Sequence, residues 1–419
     1  MIVREVLDSG VRLVTETMPH VRSVTVGVWL TRGSRHEPEA LGGIAHFVEH
    51  MLFKGTQTRS AEDIAQLTDS IGGQLDAFTA KEYASYYAKV LDEHLPLALD
   101  LLSDIVLRPA FKLEDVDREK KVVLEEIKMV EDTPDDLVHE LFTQSFWEGH
   151  PLGRPILGTR ATIEALTADA IRDYFSGVYT ADHFVVSAVG NLDHARVRDL
   201  VQQVFVDLPG AGRMADEMAP VVAPKVTVRD KDLEQSHICL GASSYPHRHE
   251  DRYVSYVLNT LLGGSMSSRL FQNVREKRGL AYAVFSGLAA YRDAGSLTVY
   301  AGCANEVVDE LIDVVVGEIR AVKQESAAPT ELRRAKDHLK GSLMLGLENT
   351  ASRMSHLARQ EIYFDRQFGL DETLTGIERV TVDDVQRVAH ALFSSGALAA
   401  TVLGPLNGWT LAPGRLALE

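Results

Sequence analysis

Apolar and polar residues alternate over Val11–Thr17, which predicts a strand, and the longer apolar run Ser23–Leu30 predicts a more deeply buried one. A turn-rich stretch, Arg32 to Glu39, follows. In Ala61–Ile71 the apolar positions Ile64, Ala65, Leu67 and Ile71 have helical spacing, and Gly72-Gly73 supplies a stop. Gln74–Thr79 and Ala84–Val90 read as two strands joined by Ala80-Lys81-Glu82-Tyr83. His94–Leu107, Leu113–Val130 and Asp135–Phe146 read as helices, and Thr167 opens another with an N-cap pattern that runs to Tyr174. Phe184–Val189 is an apolar strand closed by Gly190.

The stretch Leu208–Pro224 breaks the periodicity with prolines and glycines and is expected to be a linker. Beyond it the pattern repeats. Val24-Thr25-Val26-Gly27 aligns with Ile238-Cys239-Leu240-Gly241, Thr167-Ala168-Asp169 with Thr381-Val382-Asp383, and Gly190 with Gly404, each at an offset of 214 residues. Tyr87-Ala88 aligns with Tyr300-Ala301 at 213. A common offset points to an internal duplication. The expected architecture is α+β, with two duplicated domains, each a mostly antiparallel sheet covered by helices. The expected division is 1–210, a linker at 211–224, and 225–419.

Composition is that of an ordinary globular chain, 45% hydrophobic and 25% charged, and no apolar run reaches the roughly eighteen residues of a membrane span. The first residues carry no secretory pattern, so a cytoplasmic location is expected. Cys239 and Cys303 are the two cysteines, too few for a disulfide framework, and both sit in strand-like sequence where a buried thiol is expected. The net charge of -17 argues against nucleic acid and is compatible with basic peptides, although an acidic surface also serves solubility alone.

One stretch carries candidate chemistry. His46-Phe47-Val48-Glu49-His50 has the order H-x-x-E-H, the inverzincin pattern. Histidines four apart share a helix face and can bind one zinc ion, leaving a position open for water that a nearby carboxylate can deprotonate. The bland alternative is a surface helix with two chance histidines. A third ligand would decide between them. The helix Leu113–Val130 offers Glu114, Glu119, Glu125 and Glu126; Glu119 and Glu126 share a face two turns apart, while Glu114 and Glu125 read as solvated. At the duplication offset Thr260 and Gly264 replace the histidines, so only the first copy is expected to bind metal.

The motif, together with Glu126 in Val122-Val123-Leu124-Glu125-Glu126-Ile127, resembles the pitrilysin-type zinc peptidases, in particular the short branch with mitochondrial processing peptidase β subunits and bacterial processing-peptidase-like proteins. The resemblance runs from about Val11 to Gly404. It implies one zinc per chain, with His46, His50 and Glu126 as ligands, Glu49 as general base and Glu119 supporting the ligands. It implies that Asp76, Ala77, Phe78 and Thr79 belong to a strand to which an extended peptide adds. Relatives often have asparagine at the place of Asp76. Asp136 and Glu140 match acidic positions that receive a substrate arginine, and they also read as ordinary helix-surface acids.

In the second half, Leu261–Phe271 and Val274–Tyr282 resemble the family segment whose arginine and tyrosine, here Arg275 and Tyr282, bind substrate and stabilise the oxyanion. Longer relatives join two such domain pairs into a clamshell. This chain has one pair, half a clamshell, so the resemblance implies a second subunit: a homodimer, or a heterodimer with a metal-free relative. The expected activity is an endopeptidase for extended or unfolded peptides in a closed dimeric chamber. The competing expectation is a non-catalytic assembly subunit of the same fold.

Overall fold

The computed structural model describes residues 1–206, 208–210, 218–222 and 224–419. Most of the expected linker, 211–217 and 223, lies outside the described residues. Among the described residues eleven strands form two sheets: β1 (Ile2–Val6), β2 (Arg12–Thr17), β3 (Ser23–Leu30), β4 (Gln74–Thr79), β5 (Ala84–Leu91) and β6 (Phe184–Gly190) in the first, and β7 (Val226–Asp230), β8 (Ser236–Ser244), β9 (Ala281–Ala290), β10 (Gly295–Cys303) and β11 (Ala399–Gly404) in the second. The orders are β1-β2-β6-β3-β5-β4 and β7-β11-β8-β10-β9. Dropping β1, the two orders are the same, each with one parallel pair, β2/β6 and β7/β11, in an otherwise antiparallel sheet. The α+β duplication is thus present.

Cross-strand register corrects one of the four sequence matches. Val24 pairs with Gly190, whereas Gly404 lies beyond Leu403, which pairs with His237. Tyr87 pairs with Gly27, and Tyr300 pairs with Cys239. Aligning Gly190 with Gly404 and Tyr87 with Tyr300 therefore makes Cys239, not Gly241, the counterpart of Gly27. A two-residue slip keeps every side chain on the same face, so the apolar pattern does not register it. Both glycines serve a similar end. A Cβ on Gly27 would meet Met354 Sδ at 2.7 Å, and one on Gly241 would meet Phe142 Cζ at 2.6 Å, so each lets a helix cross its sheet closely.

The chain forms two compact units: Met1–Met129, Arg154–Glu217 and Gly346–Gln367, and Val130–Gly153, Met218–Leu345 and Phe368–Glu419. They differ from a division by sequence halves, because each sheet is buried on both faces. In the first unit, Val26, Val28, Tyr86 and Ala88 face Phe47, Leu99 and Leu102. On the opposite face Val14, Trp29, Val185 and Val189 pack against Met354, Leu357 and Ile362 of helix Thr350–Phe364. Ser187 Oγ donates to the Met354 carbonyl at 2.9 Å, and Thr25 and Thr350 share a hydroxyl contact of 2.8 Å. In the second unit the helix Pro134–Phe146 does the same for Cys239, Tyr300 and Leu403, using Val138, Phe142 and Phe146. Both cysteines are buried and free. No helix among the described residues is long and apolar enough to cross a membrane.

Candidate metal centre

The helix Ile44–Leu52 is built for two faces. Ile44, Phe47, Val48 and Met51 recur at helical spacing and are buried in the first core. His46, Glu49 and His50 occupy the opposite stripe, half-buried. Gly43 starts the helix at φ +93°, a conformation that suits glycine. Helix N-termini leave backbone donors unpaired. Here the buried Glu37 carboxylate accepts from Gly43 N at 2.9 Å and Ala45 N at 2.8 Å.

The expected third ligand comes from the helix Leu113–Asp132. Val116 and Val123 bury one side of it, while Val122 is 41% exposed. Glu114 and Glu125 point to solvent, as expected. Glu126 Oε2 lies 3.8 Å from His46 Nε2 and 3.6 Å from His50 Nε2. The donor atoms of His46, His50 and Glu126 all fall within 4.8 Å of one another, and no other such group occurs among the described residues. Ligands of a tetrahedral zinc stand about 3.3 Å apart, so two imidazoles and this carboxylate fit zinc after a small inward movement. Burial, with the neighbouring His50, pulls the His46 pKa down to about 4, which keeps its ring neutral with a free lone pair at neutral pH. His46 Nδ1 is buried with no hydrogen-bond partner.

Glu119 does not reach the cluster centre. Its buried carboxylate meets His50 Nδ1 at 3.1 Å and Lys54 Nζ at 2.8 Å. The first contact fixes the ring so that Nε2 faces Glu126. Glu49 follows His46 by one turn. Burial raises its pKa, opposed by a hydrogen bond from Thr79 and by His50. A recess of about 290 Å³ beside it is lined by Glu49, His50, Phe53, Lys54, Leu75, Asp76 and Ala77.

Among the described residues β4 is the edge strand of its sheet and pairs with β5 alone. Asp76 and Phe78 are exposed while Ala77 and Thr79 are half-buried. The Asp76 carboxylate accepts from Tyr87 Oη at 3.1 Å and from Ala77 N at 2.8 Å. Arg275, Tyr282, Asp136 and Glu140 belong to the second unit. The Arg275 guanidinium sits 4.9 Å from the Tyr282 ring and 4.8 Å from that of Phe271. Asp136 is exposed, and Glu140 accepts from Gln144 at 3.4 Å.

Sequence reasoning missed the roles of Lys54, Glu37 and the Thr79 hydroxyl. Lys54 follows His50 by four positions, and that spacing was the one available signal. Thr79 meets Glu49 only through the fold, 30 residues apart, and Glu37 reaches Gly43 and Ala45 from a turn, six and eight residues away, with no regular helix or strand spacing to mark it.

A family model described as insulinase (peptidase family M16) matches residues 12–160, and one described as the peptidase M16 inactive domain matches residues 165–339. An uncharacterized zinc protease of Bacillus subtilis is 43% identical over 394 residues, covering 94% of this chain and 96% of its own length. One from Streptomyces coelicolor is 44% identical over 415 residues, covering 96% and 90%. The solved protease from Helicobacter pylori superposes with a TM-score of 0.89 at 24% identity, covering 97% of this chain and 100% of its own. A peptidase M16 inactive domain from Pseudomonas fluorescens gives 0.90 at 20% identity, covering 98% of each. Those two structures speak for the fold. With matches along both halves, and close relatives over nearly their full length, this chain belongs to the insulinase family, peptidase family M16.

Proposed function

We propose that this zinc metallopeptidase is an endopeptidase that cuts extended or unfolded peptides, held as an added strand along β4 in a chamber completed by a second subunit. The observation that carries the reading is the convergence of His46, His50 and Glu126, with Glu49 on the same helix face. The outer edge of β4 supports strand addition, since its backbone groups there have no strand partner among the described residues.

The cofactor is zinc, which His46, His50 and Glu126 would hold; when bound it would polarise the scissile carbonyl and acidify water. Glu49 takes one proton from the water as the oxygen bonds to the carbonyl carbon, and gives it to the departing amine as the C–N bond breaks. Glu119 keeps His50 in the tautomer that presents Nε2. Arg275 and Tyr282 of the second subunit hold the substrate and donate to the oxyanion. Asp136 and Glu140 take a basic side chain of the peptide. The second subunit is another copy of this chain or a metal-free relative. A non-catalytic assembly role is disfavoured by the complete donor set.

Peptide-library digestion read by mass spectrometry, on protein of known oligomeric mass, tests this. Cleavage that stops with a chelator and returns with zinc is expected. Glu49→Gln should keep its zinc and lose cleavage. Full activity in that variant removes Glu49 as the base, and chelator-resistant cleavage removes the metal mechanism.

A further inference from the structure

We propose that Thr79 is a positioning residue for the reaction: its hydroxyl holds the Glu49 carboxylate from the end of the edge strand, so the strand that aligns the peptide also sets the base. The inference rests on Glu49 being the base, as argued above. Thr79 Oγ1 donates to Glu49 Oε2 at 2.5 Å. A hydroxyl bonded to a carboxylate is among the stronger hydrogen bonds. Among the described residues no other group hydrogen-bonds Glu49, so one carboxylate oxygen is engaged and Oε1 is left for water.

Strand geometry explains why Thr79 reaches this carboxylate. Side chains two apart share a face. Leu75 and Ala77 line the recess beside Glu49, and Thr79 continues their row at the last position of β4. That end of the strand is firmly held. Ala80 N bonds to Tyr83 O at 2.8 Å, Ser34 N to Ala80 O at 3.1 Å, and Arg35 N to Lys81 O at 2.7 Å. Behind the turn, Arg35 and Glu82 form a buried ion pair at 2.7 Å. A glutamate carried on a flexible stem is thereby oriented by a rigid donor. Small displacements of a reacting group are costly to rate.

Thr79→Val keeps the shape and removes the donor; Thr79→Ser keeps the donor. With an internally quenched peptide chosen from the library digest, kcat should fall roughly 10- to 100-fold in Thr79→Val with KM within about twofold. Thr79→Ser should recover most of it. Zinc content should stay at the wild-type level. In the Glu49→Gln background, adding Thr79→Val should change neither residual cleavage nor the peptide's affinity by fluorescence anisotropy. Wild-type kcat in Thr79→Val, beside an inactive Glu49→Gln, overturns the role of Thr79 and leaves the base standing. Equal weakening of peptide affinity in both backgrounds, with kcat kept, overturns it in favour of a direct peptide contact. Equal loss in Thr79→Ser and Thr79→Val, with lowered melting temperatures, overturns it in favour of a purely structural role. Wild-type turnover in Glu49→Gln overturns the base assignment, and this inference with it.

Discussion

His50 Nδ1 lies 3.1 Å from Glu119 Oε2, so the ring that would offer Nε2 to the metal is held from behind by a buried carboxylate. Lys54 Nζ, at 2.8 Å from the other oxygen, partners the remaining half of that carboxylate. Replacing Glu119 with Gln removes the charge that orients His50 while keeping the volume. Zinc affinity should fall about 10- to 100-fold, measured by competition with a chromophoric chelator. His50→Ala, which removes a donor outright, should leave the protein with almost no zinc by elemental analysis. Near-stoichiometric zinc in His50→Ala contradicts the ligand assignment.

The start of the metal helix is a second sensitive point. Gly43 has φ +93°, and a Cβ there would meet Leu157 O at 2.6 Å and Ile163 Cδ1 at 2.8 Å. The carbonyl belongs to backbone and cannot swing away. Gly43→Ala should cost about 2 kcal/mol or more in chemical denaturation, since strain and crowding act together. It should also weaken zinc binding by moving His46. A variant with wild-type stability and zinc affinity refutes the constraint.

Glu37 makes stability depend on pH. Burial raises its pKa from 4.5 to about 7, against the opposing hydrogen bonds from Gly43 and Ala45 and the nearby Lys81 and Arg154. The folded state therefore prefers the protonated acid more than the unfolded chain does. That contribution is full below the unfolded value and disappears as pH climbs through about 7, so stability falls over this window. The loss is on the order of 3 kcal/mol. Denaturation of the zinc-free protein at pH 5 and pH 8 should show it, and Glu37→Gln should be flatter by about that amount. Parallel pH dependence in the two proteins counts against Glu37 as the source.

Which contacts are legible in the sequence depends on which of them are local. His46, Glu49 and His50 lie on one helix, so their shared face is legible from spacing alone. Glu126 is distant, and four glutamates on its helix competed for the role; the resemblance singled it out. The strands β3, β4 and β6 were legible from alternation and apolar runs, because burial on one or both faces dictates those patterns. The partners of Glu37 and Glu49 were not, because a threonine at a strand end and a glutamate in a turn have many ordinary uses. The match of Gly27 with Gly241 misled for a related reason: both positions admit a crossing helix, so similar local demands imitated common register.

Arg275 and Tyr282 give the last prediction. The guanidinium packs 4.9 Å from a tyrosine ring that is 82% exposed, an unusual outlay of aromatic surface unless it meets another molecule. If they serve the zinc site of a second copy, a Glu49→Gln chain lacks the base but supplies the tyrosine. A Tyr282→Phe chain lacks the tyrosine but supplies the base. Each alone should be nearly inactive. After random exchange, about half of the dimers are mixed and each holds one intact site, so activity should rise to about a quarter of wild type. Native mass spectrometry establishes the exchange. Mixed dimers without this rise place Tyr282 either in its own chain's reaction or outside the reaction altogether.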